Sequence, residues 1–250
     1  MGLRYLVFFM LILSASPAGA FDFSLWEGLL DDHLSRGERD GVRAVLVDYK
    51  AVSADSRFGE LLARLDGFDP AALSTREARL AFWINVYNIM AVKVVVDNYP
   101  LRSIKDAGGI FSPVWKKEAG RVGGRAYSLD EIEHSILRKM NEPRIHFAIV
   151  CASLSCPDLR DEPYRADRLN RQLNDAARTF LADPTKGLRA DRGRSTLYLS
   201  SIFKWFAADF DARGGVLFYI SRFVDAETRE FIATGPRVRY MDYNWKLNGR

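Results

Sequence analysis

The sequence predicts a single α+β domain, rich in helices, with short β-strands and hairpins around one central buried helix. Residues 75–97 form a stretch that is too long for a strand and apolar on every side, which is typical of a buried helix. Shorter segments with β-branched residues are separated by glycines, which indicates hairpins. Helices and strands do not alternate regularly, so a parallel α/β sheet is not expected.

The N-terminal segment MGLRYLVFFMLILSASPAGA, residues 1–20, is predicted to be a cleaved signal peptide. It has one charge, at Arg4, then a short apolar block, and it ends in small residues that suit a signal peptidase. The block is shorter than the ~20 residues of a spanning helix, although an uncleaved anchor is the alternative. We therefore expect residues 21–250 to be one globular domain, secreted or periplasmic, without stable membrane insertion after cleavage.

The charge pattern argues against a nucleic-acid partner. The chain has 36 Lys and Arg and 32 Asp and Glu, a net charge of +4, and the two signs are interleaved rather than gathered in a basic arm. We expect an unknown small-molecule or peptide substrate instead. Neither a cofactor nor a metal is predicted.

The central helix has start and stop signals. Ser74 with Glu77 forms a capping box that is expected to open it, and the Tyr99-Pro100 pair follows its end. Before it, the sequence predicts a helix over 23–34, a strand in RAVLVDY and a helix in RFGELLARL that ends at Gly67.

The second half contains further short elements. VWKKEAGRVGGRAYSL predicts a hairpin, and Ser128 with Glu131 forms a second capping box before the helix LDEIEHSILRKM. Residues 144–150 suit a buried strand. The remaining predictions are an amphipathic helix in RADRLNRQLNDAARTFLAD, a hairpin in GLRADRGRSTLYLS, aromatic-rich helices in IFKWFAADF and VLFYISRFV that pack inward, and a closing extended segment in RVRYMDYNWKLN.

Two polar pairs interrupt apolar helix faces. Asn85 and Asn88 lie three residues apart in the central helix; they either hold the backbone of a neighbouring loop or form the polar floor of a site. In the helix over 129–140, Glu133 falls inside the apolar stripe and His134 lies at its edge. Glu133 is either a structural ion or, like Glu131, a group that orients a catalytic imidazole.

The cysteines admit three uses. Cys151 could be a nucleophile after a buried strand, with Ser153 and loop amides as oxyanion donors. Its base would be His134 by elimination, because His146 lies five residues away along that strand, at ~3.3 Å per residue. Alternatively, Cys151 and Cys156 form a disulfide, which export favours. Zinc is a third option, but the spacing matches no standard ligand pair.

The motifs AFWINVYNIMAV, SLDEIEHSILR, RIHFAIVCASLSCP, IFKWFAADF and YNWKLN together resemble the domain of unknown function 547 family. The resemblance covers a core of about 73–182 and a C-terminal part, 196–248. In the plant members a serine stands at the position of Cys156, which implies a role for Cys151 without a disulfide. The closing motif departs from the family pattern Tyr-Asp-Trp at Asn244. The resemblance groups the following residues in one constellation: Asn85, Asn88, Glu133, His134, Arg138 and Cys151.

Two functional hypotheses follow. In the first, the protein is an exported thiol-dependent hydrolase or acyl transferase that acts on an amide or ester. Its site would contain the nucleophile Cys151, the base His134, the orienting acid Glu133 or Glu131, and the supporting residues Asn85, Asn88, Arg138 and Ser153. In the second, the protein is a non-catalytic extracytoplasmic binding or scaffold domain held by a Cys151–Cys156 disulfide.

Overall fold

The computed structural model describes residues 20–109 and 112–250, so the predicted signal peptide lies outside the described residues except for Ala20. Helices account for 48% and strands for 16%, as expected for one α+β domain. The α-helices are α1 Ser24–His33, α2 Tyr49–Ala54, α3 Ser56–Asp66, α4 Arg76–Asp97, α5 Leu169–Leu181, α6 Ile202–Trp205, α7 Ala208–Asp211, α8 Val216–Ile220 and α9 Ala226–Ala233. The strands are β1 Leu34–Arg39, β2 Val42–Val47, β3 Glu118–Val122, β4 Arg125–Ser128, β5 Leu188–Asp191, β6 Thr196–Leu199 and β7 Arg237–Tyr240.

The strands form three small sheets. β1–β2 and β3–β4 are antiparallel pairs, and β5–β6 is a third antiparallel pair to which β7 adds in parallel. The two hairpins predicted over residues 114–129 and 187–200 are therefore confirmed. The first turns at Gly123 and Gly124, whose φ angles of 58° and 76° lie in the left-handed region that glycine adopts without strain.

The central helix α4 is buried as predicted and supplies the middle of the larger core. Its side chains at Leu80, Ile84 and Ile89 have no exposed area. The helix is long and apolar enough to span a membrane, but 83% of its most apolar window is buried inside the domain. Its N-cap is Thr75 and not Ser74, because the Thr75 hydroxyl accepts the Ala78 N–H at 3.0 Å.

A second core cluster lies under the C-terminal helices. Phe203, Phe210 and Tyr219 are buried there against Phe147, so these aromatic residues pack inward as predicted. Other rings of the same segment do not follow the prediction. Trp205 is 47% exposed and Phe218 is 64% exposed.

The strand predicted over 144–150 is wrong. Pro143–Phe147 is a 3₁₀ helix, since Pro143 starts it and the Glu142 carboxylate accepts the Arg144 N–H at 3.2 Å. The chain then runs irregularly to Cys151. Because the segment is not extended, the rise of ~3.3 Å per residue does not apply to it. The argument that His146 is too far from Cys151 therefore no longer holds.

The closing segment, residues 241–250, packs across the cysteine loop. Ser153 forms an antiparallel bridge with Leu247, and the N–H of Leu154 donates to the Lys246 carbonyl at 2.9 Å. The Asn248 N–H donates to Ala152 O at 3.1 Å. The loop that carries both cysteines is thus held by the end of the domain.

Candidate functional site

A cavity of about 200 Å³ opens where the helix after β4, the cysteine loop, α6 and the closing segment meet. Aromatic side chains are the largest group in its wall, which also contains apolar, acidic, histidine and cysteine side chains. The lining residues are Tyr87, Trp115, Asp130, Glu133, His134, His146, Ile149, Cys151, Cys156, Pro157, Ile202, Trp205, Phe206, Tyr243 and Trp245. Glu133, His134 and Cys151, three residues predicted for one site, therefore line one cavity.

Cys151 and Cys156 form a disulfide in the wall of this cavity, with 6.2 Å between their Cα atoms. Cys156 is buried, and Cys151 is partly exposed. The Cys151 N–H donates to Cys156 Sγ at 2.9 Å, and the Tyr243 hydroxyl donates to the same sulfur at 3.2 Å. The described part of the chain contains no free cysteine, so no thiolate is present in this state.

Ser153 supports the disulfide from behind and does not line the cavity. Its buried hydroxyl lies 3.2 Å from Cys151 Sγ and 3.3 Å from the Tyr243 hydroxyl. Ala152, which lies between Cys151 and Ser153 in the chain, has a φ of 59°, a conformation that costs a non-glycine residue roughly 1 kcal/mol. The cysteine loop is thus held in a fixed, locally strained shape.

Asn85 and Asn88 bind backbone groups outside the cavity. Asn88 donates to the Ala148 carbonyl at 3.0 Å and accepts the Val150 N–H at 2.8 Å, so it fixes the segment that leads into Cys151. Asn85 forms the same pair of bonds with the two backbone groups of Tyr164, at 2.8 and 2.9 Å. Both amides therefore hold neighbouring loops, which was one of the two interpretations of their position.

Glu133 lies in the cavity wall on a π-helix, Glu131–Leu137. The buried Tyr87 hydroxyl donates to Glu133 Oε2 at 3.3 Å. Burial raises the pKa of Glu133 to about 7, because the hydrogen bond from Tyr87 and the charge of Arg138 only partly offset the loss of hydration. The carboxyl can therefore exchange a proton near neutral pH.

His134 is half-exposed, and the contact it makes limits its use as a base. Arg138 Nη1 lies 2.9 Å from His134 Nδ1, and a guanidinium can only donate, so Nδ1 is the acceptor. The neutral ring then carries its proton on Nε2, which lies 3.7 Å from Asp130 Oδ1. The Nδ1 atom therefore accepts a hydrogen bond, whereas Nε2 faces Asp130 beyond hydrogen-bond distance.

A histidine–carboxylate pair that the sequence analysis missed lies beside it. His146 is buried, its ring stacks on Phe206 with 4.2 Å between centroids, and its Nε2 lies 2.7 Å from Asp209 Oδ2. Arg138 donates to both oxygens of Asp209, at 2.6 and 2.7 Å. Although burial raises the pKa of Asp209, the hydrogen bonds from His146 and Arg138 hold it well below its usual range. Burial lowers the pKa of His146, with Asp209 opposing, so the ring is neutral and donates to Asp209.

Glu131 lies outside the cavity. Its carboxylate pairs with Arg125, and its backbone N–H donates to the Ser128 hydroxyl at 3.1 Å. The Ser128 half of the predicted capping box is therefore present, while the Glu131 side chain points elsewhere. Of the two acids predicted to orient an imidazole, only Glu133 lines the cavity.

Four aromatic side chains at the cavity, which we call the aromatic rim, are Trp115, Trp205, Tyr243 and Trp245. Trp205 stacks on Trp245 with 5.7 Å between ring centroids, and Tyr243 lies 4.6 Å from Trp245. Lys105, which is not among the lining residues, places its Nζ 3.6 Å from the centre of the Trp245 ring. The rim combines large apolar faces with a geometry that already accepts one cation.

Residues 70–181 match the model of the family described as protein of unknown function, DUF547. The matched residues contain α4, the π-helix, His146 and the cysteine loop, in agreement with the core of about 73–182 from the sequence motifs. No curated protein and no solved structure matches the chain.

The DUF547 segment supplies one side of the cavity and later residues supply the other. Trp205, Phe206, Tyr243 and Trp245 line it from outside the matched residues, and Asp209 holds His146 from outside as well. Within residues 20–109 and 112–250, no group of three His, Cys, Asp or Glu side chains is arranged to hold a metal ion. The cavity thus combines the Glu133 carboxyl and the disulfide of the DUF547 segment with aromatic side chains from later in the chain.

Proposed function

We propose that this protein acts outside the cytoplasm as a binding domain for a small ligand, which enters the aromatic cavity beside the Cys151–Cys156 disulfide. The observation that carries the proposal is that the two sulfurs are joined to each other in the wall of a cavity in which aromatic side chains are the largest group. This is the second of the two hypotheses from the sequence. The wall of the cavity provides apolar contact area, and its two sulfurs are not free thiols.

The size of the cavity supports a ligand smaller than most cofactors. At about 200 Å³ it is below the roughly 300–1,000 Å³ of pockets for drug-sized molecules. Aromatic rings give such a ligand much contact area at a small entropic cost, and Asp130 and Glu133 can fix its orientation by hydrogen bonds. A metabolite or a single side chain of a peptide fits this description.

Export is supported by the N-terminal segment and by the disulfide. Residues 1–20 have the charge, apolar block and small residues of a signal peptide. Disulfides persist in oxidising compartments and are rare in the cytosol. Fractionation of cells that produce the full chain tests this part, since we expect the protein in the periplasmic or secreted fraction with its N-terminus near residue 21.

Binding is tested by calorimetry with benzyl alcohol, an uncharged aromatic probe. We expect weak saturable binding that falls at least about ten-fold in Trp205→Leu, because Trp205 lines the cavity yet is exposed enough to be replaced without harm to the core. Phe218→Leu is the matched control, since that ring is exposed away from the cavity. Equal binding by both variants would reject the cavity as the site.

A second candidate, a thiol-dependent hydrolase or acyl transferase, is favoured by the presence of Cys151 and His146 in the same wall. After an added dithiol has reduced the disulfide, the Cys151 thiol would add to an ester or amide carbonyl and pass its proton to His146, whose Nε2–H is held by Asp209. The C–O or C–N bond would then break, the alcohol or amine would leave with that proton, and water would hydrolyse the thioester to release the acid and restore the thiol. His146 replaces His134 as the base in this candidate. Ester hydrolysis that requires reductant and is lost in Cys151→Ser would support it.

A further inference from the structure

We propose that the ligand of the aromatic cavity is a small organic cation, such as a substituted ammonium compound. This inference rests on the proposed binding function and specifies the class of ligand. It depends on two separate features of the wall, namely the aromatic rim and the two acidic side chains.

The aromatic rim offers the faces that organic cations prefer. A cation is attracted to the negative face of an aromatic ring, most strongly to tryptophan, within about 6 Å of the ring centre. Trp115, Trp205, Tyr243 and Trp245 lie within 4.6 to 6.2 Å of a rim neighbour by their ring centroids. A single methylated ammonium group can therefore contact more than one of these rings.

Lys105 provides an internal example of this interaction. Its ammonium group lies 3.6 Å from the centre of the Trp245 ring and outside the cavity wall. Partial burial at this position removes hydration from the ammonium group and lowers the pKa of Lys105. The same charge repels a second cation, so Lys105→Gln is expected to strengthen binding of a cationic ligand.

The charged groups of the wall favour a positive ligand. Asp130 and Glu133 line the cavity, whereas no Lys or Arg side chain does so among residues 20–109 and 112–250. Glu133 is bonded to a neutral phenol, that of Tyr87, and the nearest cationic side chain, Arg138, is already bonded to both oxygens of Asp209. A bound cation would supply the positive charge that these two acids lack.

The carboxyl of Glu133 makes such binding dependent on pH. Its pKa is raised to about 7 by burial, and a cation in the cavity favours its ionised form. Affinity for the cation should therefore rise as pH increases from about 6 to about 8. The effect is assigned to Glu133 only if Glu133→Gln removes it. The charged and titratable groups around Glu133 are Tyr87, Asp130, His134, Arg138, His146, Asp209 and Tyr243.

The test compares choline with its uncharged carbon isostere, dimethylbutanol, by calorimetry on the purified protein. The two probes have nearly the same shape, so their difference reports the charge. At pH 8 we expect choline to bind about ten-fold more tightly than dimethylbutanol. This is the effect expected from one good cation–π contact together with a nearby, partly desolvated carboxylate. Glu133→Gln should remove most of this preference, whereas the matched control Glu131→Gln should retain it, since Glu131 is paired outside the cavity.

Each outcome discriminates. Equal or tighter binding of dimethylbutanol overturns the cation inference and leaves the binding function standing. Failure of choline, dimethylbutanol and benzyl alcohol to bind overturns both. A preference for choline that survives in Glu133→Gln and in Trp205→Leu overturns the assignment to this cavity. Circular dichroism and melting of each variant establish that the fold is unchanged.

Discussion

Asp209 Oδ2 lies 2.7 Å from His146 Nε2, and its other carboxylate oxygen accepts a hydrogen bond from Arg138. The pair joins two parts of the chain that are 63 residues apart. It holds α7 against the wall of the cavity and keeps the His146 ring against Phe206. Helix α7 is thereby attached to the DUF547 segment beside the cavity.

Asp209→Asn should destabilise the fold by roughly 1–3 kcal/mol, because His146 and Arg138 lose their anionic partner. The depressed pKa of Asp209 makes this contribution present above its unfolded pKa of ~3.9 and lost as pH falls through the lower folded value. Urea unfolding of the variant should therefore be less sensitive to acid than that of the wild type. Asp211→Asn, at an exposed neighbour, is the control and should change stability little.

Glu133→Gln should change how stability depends on pH. The folded pKa of about 7 is above the unfolded value of ~4.3, so the contribution of Glu133 is fully present below the unfolded pKa and is lost as pH rises through 7. We expect the variant to lose less stability than the wild type between about pH 5 and about pH 8, by ~2 kcal/mol. Identical pH profiles from chemical unfolding would contradict the raised pKa.

Thiol titration should find no reactive thiol in the native protein and two after reduction and unfolding. Both sulfurs are joined in the structure, and Cys156 is buried behind Tyr243. The free energy of unfolding of the double variant Cys151→Ser/Cys156→Ser should be about 2 kcal/mol below that of the wild type, as expected for a short disulfide loop. A single fast-reacting thiol in the native protein would favour the hydrolase candidate.

Asn88→Ala should speed the reduction of the disulfide, whereas Asn85→Ala should not. Both amides make two buried backbone hydrogen bonds, so each variant should lose about 2–4 kcal/mol of stability. Only Asn88 holds the segment at Ala148 and Val150 that leads into Cys151. Measuring the rate of reduction by dithiothreitol separates this local effect, since equal acceleration in both variants would indicate general unfolding instead.

Local patterns predicted much of the fold. The apolar helix α4, the hairpin at Gly123 and Gly124, and the inward position of Glu133 all follow from periodicity and turn chemistry within short windows. The start of α4 was misplaced by one residue, because Ser74 and Thr75 are both good N-caps and only the folded backbone selects Thr75.

The candidate site was predicted only in part, because its partners come from distant parts of the chain. Apolar residues 144–150 favoured a strand, yet Pro143, Glu142 and the amide of Asn88 impose a turn. Because of that error, His146 was rejected as a partner of Cys151. No short-range pattern could have identified Asp209 as the hydrogen-bond partner of His146. The Glu142-Pro143 pair was the available signal, since a carboxylate before proline is a common way to start a helical turn.

The packing of residues 241–250 on the cysteine loop affects the order in which the cavity can form during folding. Tyr243 and Trp245 line the cavity, and because a chain is made from its N-terminus they are synthesised after the cysteine loop. The wall of the cavity is therefore complete only after residues 241–250 have packed on the cysteine loop. Deletion of residues 241–250 would remove Tyr243 and Trp245 from the cavity wall and would also release the cysteine loop, because Leu247 and Asn248 are buried against it.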